Sequence, residues 1–402
     1  MNCESECGGG SAILVIPGLP NDVAWMILSK VPYSHHGRLK ATCKSWKTVL
    51  SSKSFLTSLN RKNHLLCIFP QDPSIVSPFL FDPVALAWCP LPPMPCNPNL
   101  YGLCNFAAVP LGLSLFVLGG SLFDARSFPI DRPSPSNSTF RFDFHHFSWE
   151  PRASMLSPRG SFACAVLPSE EAGHGHIFVA GGGSRHTMFA AAGSRIRSVE
   201  RYDVRRDRWV ALEPLPGSRA GCVGFVGGDG GRDFWVLGGY GASRTISGVF
   251  PVDEYCTDAV VMGMDSGEWR EVGDVWGDQR VRAGKIVVAH DSGCPVVFML
   301  DGSDIFRYDM SLNRWLYESR VPRKARYNSS FGFVALDGEL YVVTHLYVDS
   351  TETRRSRHHK RAGTLYIQIY NPKKKAWRSI VTKSPFNYPI DINSAVFSSI
   401  SL

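Results

Sequence analysis

The distribution of hydrophobic residues divides the chain near residue 60. Beyond that point, apolar or alternating runs of four to eight residues stand between Gly, Pro, Asn and Asp, which is the pattern of short β-strands joined by turns. No long segment with helical periodicity follows, so the sequence predicts an all-β region over residues 64–402. Residues 13–60 have helical spacing and predict a small all-α region.

The all-β region repeats one module six times. Each copy carries a Trp that follows an Asp or Asn by six residues, or by four in the fourth copy: Asp82 and Trp88, Asp143 and Trp149, Asp203 and Trp209, Asp265 and Trp269, Asp309 and Trp315, and Asn371 and Trp377. Successive tryptophans are 46 to 62 residues apart, which leaves room for four short strands per copy. A single four-stranded sheet cannot bury both faces, so the copies must stack around an axis as a six-bladed β-propeller.

The first copy has no strand of its own before residue 64. The apolar run at residues 394–402 has no copy left to join, so we expect it to supply that missing strand and to close the ring. Closure removes the exposed strand edges that would otherwise template aggregation. Glycine pairs precede the Trp in three copies, but Asp301-Gly302 and Thr344-His345 replace them in the last two, where we expect different turns.

The N-terminal region predicts two helices that are too apolar for their size. The first begins near Pro20 and carries an apolar stripe at Val23, Met26, Ile27 and Val31, with Trp25 and Leu28 off the stripe. The second places on one face Leu39, Thr42, Cys43, Trp46, Val49 and Leu50. Two such helices cannot bury this surface on each other, so we expect them to dock on another protein; the alternative is that they pack against the propeller.

Two family resemblances follow from these residues. Residues 13–60 resemble the F-box, a helical motif that docks on the Skp-type adaptor of cullin-based ubiquitin ligases. The matching residues are Leu19-Pro20, Asp22-Val23, Ile27-Leu28, Val31-Pro32, Arg38, Lys40 and Thr42-Cys43-Lys44-Ser45-Trp46. The glycine pairs and the Asp-to-Trp spacing resemble the kelch motif. The whole chain is therefore similar to plant-type F-box/kelch-repeat proteins, with a small all-α F-box followed by an all-β six-bladed kelch β-propeller.

The resemblance implies a substrate-recognition subunit of an SCF-type ubiquitin ligase. Its partners would be a Skp-type adaptor, through it a cullin, and a substrate protein held by the propeller. Carried over onto this sequence, the adaptor-binding residues are Leu19, Pro20, Val23, Ile27, Leu28, Val31, Leu39, Cys43 and Trp46. The alternative is a kelch protein-interaction scaffold without a ligase role.

Long loops point to one face of the propeller for substrate binding. The loops that follow the second strands emerge beside the crossovers between blades, because antiparallel strands alternate in direction. The basic and aromatic side chains in these segments are Arg126, Arg159, Arg185, Arg195, Arg219 and Arg244, with His186 and Phe189. Arginine is favoured at interface hot spots, so we expect an acidic partner. The alternative is that these arginines cap blade carbonyls or are solvated.

The composition narrows the cellular compartment and the kinds of site that we expect. The 11 cysteines are odd in number and form no CxxC, which argues against a disulfide framework and a zinc ribbon and favours the cytoplasm or nucleus. The net charge of +8 arises within residues 351–378, where nine Lys or Arg face one acid. The basic run at 354–361 is either a nuclear import signal, a nucleic-acid patch or, the reading we favour, a solvated loop. Residues 1–12 predict a disordered tail, and no apolar segment is long enough to span a membrane.

No catalytic motif accompanies these features. The sequence contains no GxSxG, HExxH or P-loop. Kelch-type propellers include copper oxidases, but His174, His176, His290 and His345 have no ligand-like spacing. We therefore expect a binding protein with no active site, metal or cofactor.

Overall fold

The computed structural model describes residues 14–52, 54–55, 63–70, 77–95, 100–104, 106–124, 134–169, 173–183, 194–246, 250–276, 284–291, 293–322, 331–345, 363–386 and 390–402. The chain divides into two compact units, residues 1–63 with Leu402, and residues 64–401. The predicted tail at 1–12 and the basic run at 354–361 lie outside the described residues. No helix in the described ranges is long and apolar enough to cross a bilayer.

The described part of the N-terminal unit contains the helices α1 (Asn21–Ser29), α2 (Tyr33–Lys40) and α3 (Lys44–Leu50). The prediction of one helix through residues 39–50 is wrong, because the chain breaks at Ala41–Cys43. Cys43 is extended (φ −156°, ψ 162°), and its Sγ accepts a hydrogen bond from the Trp46 amide, so it caps α3. The predicted continuous apolar face is thereby divided between two short helices.

Aromatic and aliphatic side chains from all three helices form the core of this unit. Ala24, Leu28, Tyr33, Leu50 and Phe55 are buried. His36 is also buried, and its Nε2 lies 3.0 Å from the Val31 carbonyl oxygen. Burial lowers the pKa of His36 from 6.5 to about 4, so the core contains a neutral imidazole at physiological pH.

The second unit is a ring of six four-stranded antiparallel sheets, which confirms the six-bladed prediction. Its first strands are β1 (His64–Phe69), β2 (Phe79–Asp82) and β3 (Ala87–Pro90). The next segment contains β4 (Leu100–Cys104), β5 (Ala107–Leu111), β6 (Ser114–Leu118), β7 (Ser121–Asp124), β8 (Ser134–Pro135), β9 (Thr139–Asp143) and β10 (Ser148–Arg152). Of these, β5, β6, β9 and β10 form blade 2, and β4, β7 and β8 form a separate sheet.

The remaining strands continue the ring. Blade 3 contains β11 (Ala163–Pro168), β12 (Gly175–Ala180), β13 (Val199–Asp203) and β14 (Arg208–Leu212). The following segment contains β15 (Val223–Gly227), β16 (Asp233–Leu237), β17 (Tyr240–Ile246), β18 (Phe250–Tyr255), β19 (Asp258–Gly263) and β20 (Trp269–Asp274). Here β15, β16, β19 and β20 form blade 4, whereas β17 and β18 form a hairpin in the segment that the sequence predicts as a loop.

Blade 5 and blade 6 complete the order. Blade 5 contains β21 (Lys285–Asp291), β22 (Cys294–Asp301), β23 (Asp304–Asp309) and β24 (Arg314–Arg320). Blade 6 contains β25 (Phe331–Leu336), β26 (Glu339–His345), β27 (Thr364–Asn371) and β28 (Ala376–Lys383). The last strand, β29 (Val396–Ser401), pairs antiparallel with β1 and completes blade 1 from the C-terminal end of the chain. Buried apolar clusters fill the spaces between neighbouring blades; Phe178 of blade 3, for example, contacts Phe234 of blade 4.

The Asp-to-Trp spacing has a local cause and a tertiary one. In the five copies with six-residue spacing, the Asp or Asn ends the third strand and caps the following turn, as Asp309 does when it accepts hydrogen bonds from the amides of Ser311 and Leu312. The fourth turn residue has a positive φ, +49° at Asn313, and the Trp enters the fourth strand two residues later. The indole then reaches the preceding blade: Trp209 Nε1 donates to the carbonyl of Ala153 at 2.8 Å. Equivalent bonds join Trp88, Trp149, Trp269 and Trp377 to blades 6, 1, 3 and 5.

Candidate functional surfaces

One candidate surface is the exposed side of the N-terminal helices. Met26 and Ile27 are adjacent on α1, with 54% and 44% of their surfaces exposed, and Leu14 is exposed nearby in the sequence. Pro20 and Cys43 are also exposed. Large exposed apolar side chains that lie together mark interaction sites. Helix α1 therefore exposes two large apolar side chains that the core of the unit does not cover.

The nine predicted adaptor-binding residues divide by burial. Pro20, Ile27 and Cys43 are exposed, and a second group is half-buried: Leu19, Val23, Val31, Leu39 and Trp46. Leu28 is only 2% exposed and belongs to the core of the unit, so this structure does not present it on the predicted adaptor-binding surface. Met26 is missing from the predicted set although the sequence places it on the apolar stripe of α1.

The side chain of Trp46 is held in place by a hydrogen bond to the segment before α1. Its indole Nε1 donates to the Val15 carbonyl at 2.7 Å, while the Val15 amide donates to Asn21 Oδ1 at 3.0 Å. These bonds hold the segment before α1 against α1 and α3. Trp46 therefore supports the surface as well as forming part of it.

The N-terminal unit has an excess of basic residues. Between residues 14 and 52 the chain has five basic residues, Lys30, Arg38, Lys40, Lys44 and Lys47, against one acid, Asp22. At Cys43, hydrogen bonding led by the Trp46 amide lowers the pKa of the thiol. An apolar surface on a unit with an excess of basic residues suits a partner that combines apolar side chains with acidic ones.

The second candidate surface lies on the propeller, where strand ends meet the crossovers between blades. Gly120 N donates to the Arg159 carbonyl at 2.8 Å, and Gly182 N donates to the Arg219 carbonyl at 2.8 Å. Tyr240 N donates to the Ala220 carbonyl at 2.7 Å. We call the surface formed by these strand ends and interblade segments the crossover face. Strand ends and interblade segments lie together on this face, as the alternation of strand directions predicts from the sequence.

Arg159, predicted to bind substrate, is fully buried in this structure. Its guanidinium forms an ion pair with Glu200 at 2.5 Å and donates from Nη1 to the carbonyls of Gly181 and Ser198, both at 2.9 Å. The Glu200 carboxylate also accepts the Leu156 and Ser157 amides. This arginine joins a crossover to the strand ends of blade 3 and is not available to a partner.

Arg219, which is also predicted to bind substrate, occupies the equivalent position before blade 4 and is buried as well. It is 3% exposed and forms a two-point contact with Asp258, at 3.2 and 3.0 Å. Its Nη1 lies 3.4 Å from the Gly238 carbonyl oxygen. In both blades the arginine caps blade carbonyls, which is the alternative that the sequence left open.

The other predicted substrate-binding residues remain predictions. Arg126, Arg185, His186 and Phe189 lie outside the described residues. Arg244 lies in β17, but its side chain is outside the description. Arg195 is half-buried, and its backbone forms an isolated bridge with Gly183.

Two apolar side chains that the sequence analysis missed are exposed on the crossover face. Leu156, in the crossover before blade 3, has 59% of its surface exposed. Tyr255, at the end of β18, is 60% exposed, and its ring lies 5.0 Å from the ring of Tyr240. Aromatic side chains are enriched at interface hot spots. The sequence feature that could have identified Tyr255 is its position in a long insertion that follows a glycine pair.

Comparisons with known proteins agree with both halves of the chain. The F-box domain model matches residues 16–58, and the Kelch motif model matches residues 171–216. The chain is 55% identical to the F-box/kelch-repeat protein OR23 of Arabidopsis thaliana, over 97% of this chain and 92% of that protein. It is 33% identical to the F-box/kelch-repeat protein SKIP30 of the same plant, over 53% of this chain and 58% of that protein.

Proposed function

Since the chain belongs to the F-box/kelch-repeat proteins, which are adaptor-type proteins, we propose that it is the substrate-recognition subunit of an SCF-type ubiquitin ligase. In this proposal the helical unit docks on a Skp-type adaptor, and the adaptor connects it to a cullin. The propeller holds a target protein for ubiquitination and degradation. The chain contributes proximity and orientation, and the bound machinery supplies the chemistry.

The observation that carries the proposal is the exposed pair Met26 and Ile27 on α1. The same unit buries Leu28, Tyr33 and Phe55 in its own core, so the exposed pair is not needed to hold the helices together. About half of each side chain is already buried, so covering the rest against a partner is worth roughly 1 kcal/mol each. The excess of basic residues in this unit favours an adaptor surface with acidic residues, which would also accelerate encounter.

The crossover face supports the second half of the proposal. It presents Leu156 and Tyr255 to solvent, whereas Arg159 and Arg219 are used to join its segments together. We therefore expect target recognition to depend on apolar and aromatic contacts at this face, with charged loop residues around them. The cytoplasm or nucleus is part of this proposal, as the location of SCF-type ligases.

The test of adaptor docking is a pull-down with full-length protein. Met26→Asp and Ile27→Asp place a carboxylate in the apolar surface without touching the buried core, so each should abolish or strongly reduce recovery of the Skp-type adaptor and the cullin. Val84→Asp is the matched control, since Val84 is an 84% exposed apolar residue in a propeller turn. Undiminished recovery with the α1 variants would contradict the docking surface.

The test of substrate capture uses the same chain in cells. Proteins that accumulate when the chain is removed should be restored to low abundance by the wild type. Tyr255→Ala and Leu156→Asp should fail to restore them while still recovering the adaptor. If the wild type never co-purifies with adaptor and cullin but still retains partners through the propeller, the chain is an interaction scaffold without a ligase role.

A further inference from the structure

A turn in blade 2 brings together three side chains with metal-ligating atoms. β9 ends at Asp143, and His145 and His146 follow in the turn that leads to β10. One ligating atom from each of the three lies within 4.8 Å of the other two. His146 Nδ1 lies 2.8 Å from Asp143 Oδ2, and the two imidazole rings have centroids 4.4 Å apart.

The turn that follows β9 accounts for the presence of the aspartate. Asp143 Oδ1 accepts the His145 amide at 2.7 Å, which is the turn-capping role that Asp82 and Asp309 have in other blades. Those turns carry other residues where blade 2 carries two imidazoles. The capping bond occupies Oδ1 and leaves Oδ2 directed at His146. The turn therefore holds one carboxylate oxygen and two imidazoles in one place, and the turn geometry requires only the carboxylate.

The side chains differ in exposure in a way that suits a surface ion. Asp143 is buried to 6% exposure, whereas the His146 side chain is 64% exposed. The turn therefore places a fixed carboxylate beside one exposed and one half-buried imidazole, within reach of an ion from solvent.

We propose that Asp143, His145 and His146 bind one zinc ion. Two imidazoles and one carboxylate form a ligand set that zinc takes in proteins, with the remaining position open to water. Imidazole selects against magnesium and calcium, which prefer sites made only of oxygen atoms. The ion would join β9 to β10 at the outer turn of blade 2, independently of adaptor or target binding.

A neighbouring arginine limits the affinity of the site. Arg141 Nη2 lies 3.7 Å from Asp143 Oδ2, and its Nη1 lies 3.6 Å from Glu150 Oε2. A fixed cation near the ligating oxygen disfavours a second one, even when another carboxylate partly offsets its charge. Arg141→Gln should therefore bind zinc several-fold more tightly than the wild type, an outcome that a purely structural turn does not predict.

The experiment is calorimetric titration of zinc into the full-length chain, purified without a histidine tag and treated with chelator. The wild type should bind one equivalent at this site, and His145→Gln and His146→Gln should each weaken it by tenfold or more. Both variants keep Asp143 and hence the turn cap, and their unfolding temperatures without metal are measured to confirm an intact fold. His174→Gln, in blade 3, is the control and should bind as the wild type does.

A second measurement tests the ligands directly. Cobalt substituted for zinc should give a visible absorption band that disappears in the His146→Gln variant and persists in the His174→Gln variant. The proposal is overturned if the wild type binds no zinc, if the His145 and His146 variants bind it as tightly as the wild type, or if His174→Gln weakens binding equally.

Discussion

The buried His36 predicts that the N-terminal unit loses stability in mild acid. The imidazole is 1% exposed, contacts the rings of Tyr33 and Phe55, and keeps one hydrogen bond, to the Val31 carbonyl. Burial is the main cause that lowers its pKa from 6.5 to about 4, and the charges of Lys40 and His35 act in the same direction. Protonation in the folded state would leave a cation in an apolar core.

The sign and size of the effect follow from linkage. The unfolded chain takes up a proton at His36 as the pH falls below 6.5, while the folded unit resists it until about pH 4. Stability is therefore unaffected above pH 6.5 and falls through the window between these values. The loss is about 2 kcal/mol at pH 5 and approaches about 3 kcal/mol below pH 4. A loss of this size is a large fraction of the stability of a small helical unit.

The assay is hydrogen exchange of the full-length chain, read out by mass spectrometry for peptides that cover α1 and α2. The free energy of opening, corrected for intrinsic exchange, should fall by about 2 kcal/mol between pH 7 and pH 5. His36→Gln keeps a donor for the Val31 carbonyl but does not titrate, so its opening energy should be nearly independent of pH. His35 is exposed, so the His35→Gln variant should retain the wild-type dependence of the opening free energy on pH. Equal slopes in the wild type and His36→Gln would refute the reasoning.

Three further predictions concern the propeller. Arg159→Met should destabilise it by about 3–5 kcal/mol in urea unfolding, because a buried charge is left unpaired, whereas Arg206→Met, at an exposed ion pair, should change it by less than about 1 kcal/mol. Gly119→Ala should cost more than Gly302→Ala in the same assay: both have φ +59°, but only at Gly119 would a Cβ lie 2.4 Å from a backbone oxygen. Deletion of residues 396–402 should expose β1 and give protease-sensitive or insoluble protein; an unchanged unfolding temperature would contradict ring closure by β29.

The repeat pattern predicts the fold well because its signals are local. Asp309 caps a turn only two and three residues ahead of it, and Trp315 follows at a distance fixed by that turn. The same local reasoning fails in the N-terminal unit, where α2 and α3 are separated by a break at Ala41–Cys43. There the Cys43 cap competes with continuation of the helix, and the spacing of apolar residues alone does not show which of the two forms.

Assignments of binding residues depend on burial, which spacing does not encode. Leu28 and Ile27 are neighbours in the sequence with similar side chains, yet one is in the core and the other is exposed. Arg159 is in a crossover, as predicted, but its guanidinium is directed into the blade by a carboxylate 41 residues later in the chain. A composition argument that favours arginine at interfaces cannot distinguish such an arginine from a solvated one.

The sequence alone determined the division into a helical unit and an all-β unit, the six blades, and the family to which these motifs belong. Each of these depends on interactions within a few residues, or on a repeat whose period can be counted. Only the tertiary structure decided that Arg159 and Arg219 hold blades together, that Met26 is exposed, and that Asp143 faces His146. The reason is physical: exposure and side-chain direction are set by contacts between segments far apart in the chain, and those contacts exist only after folding.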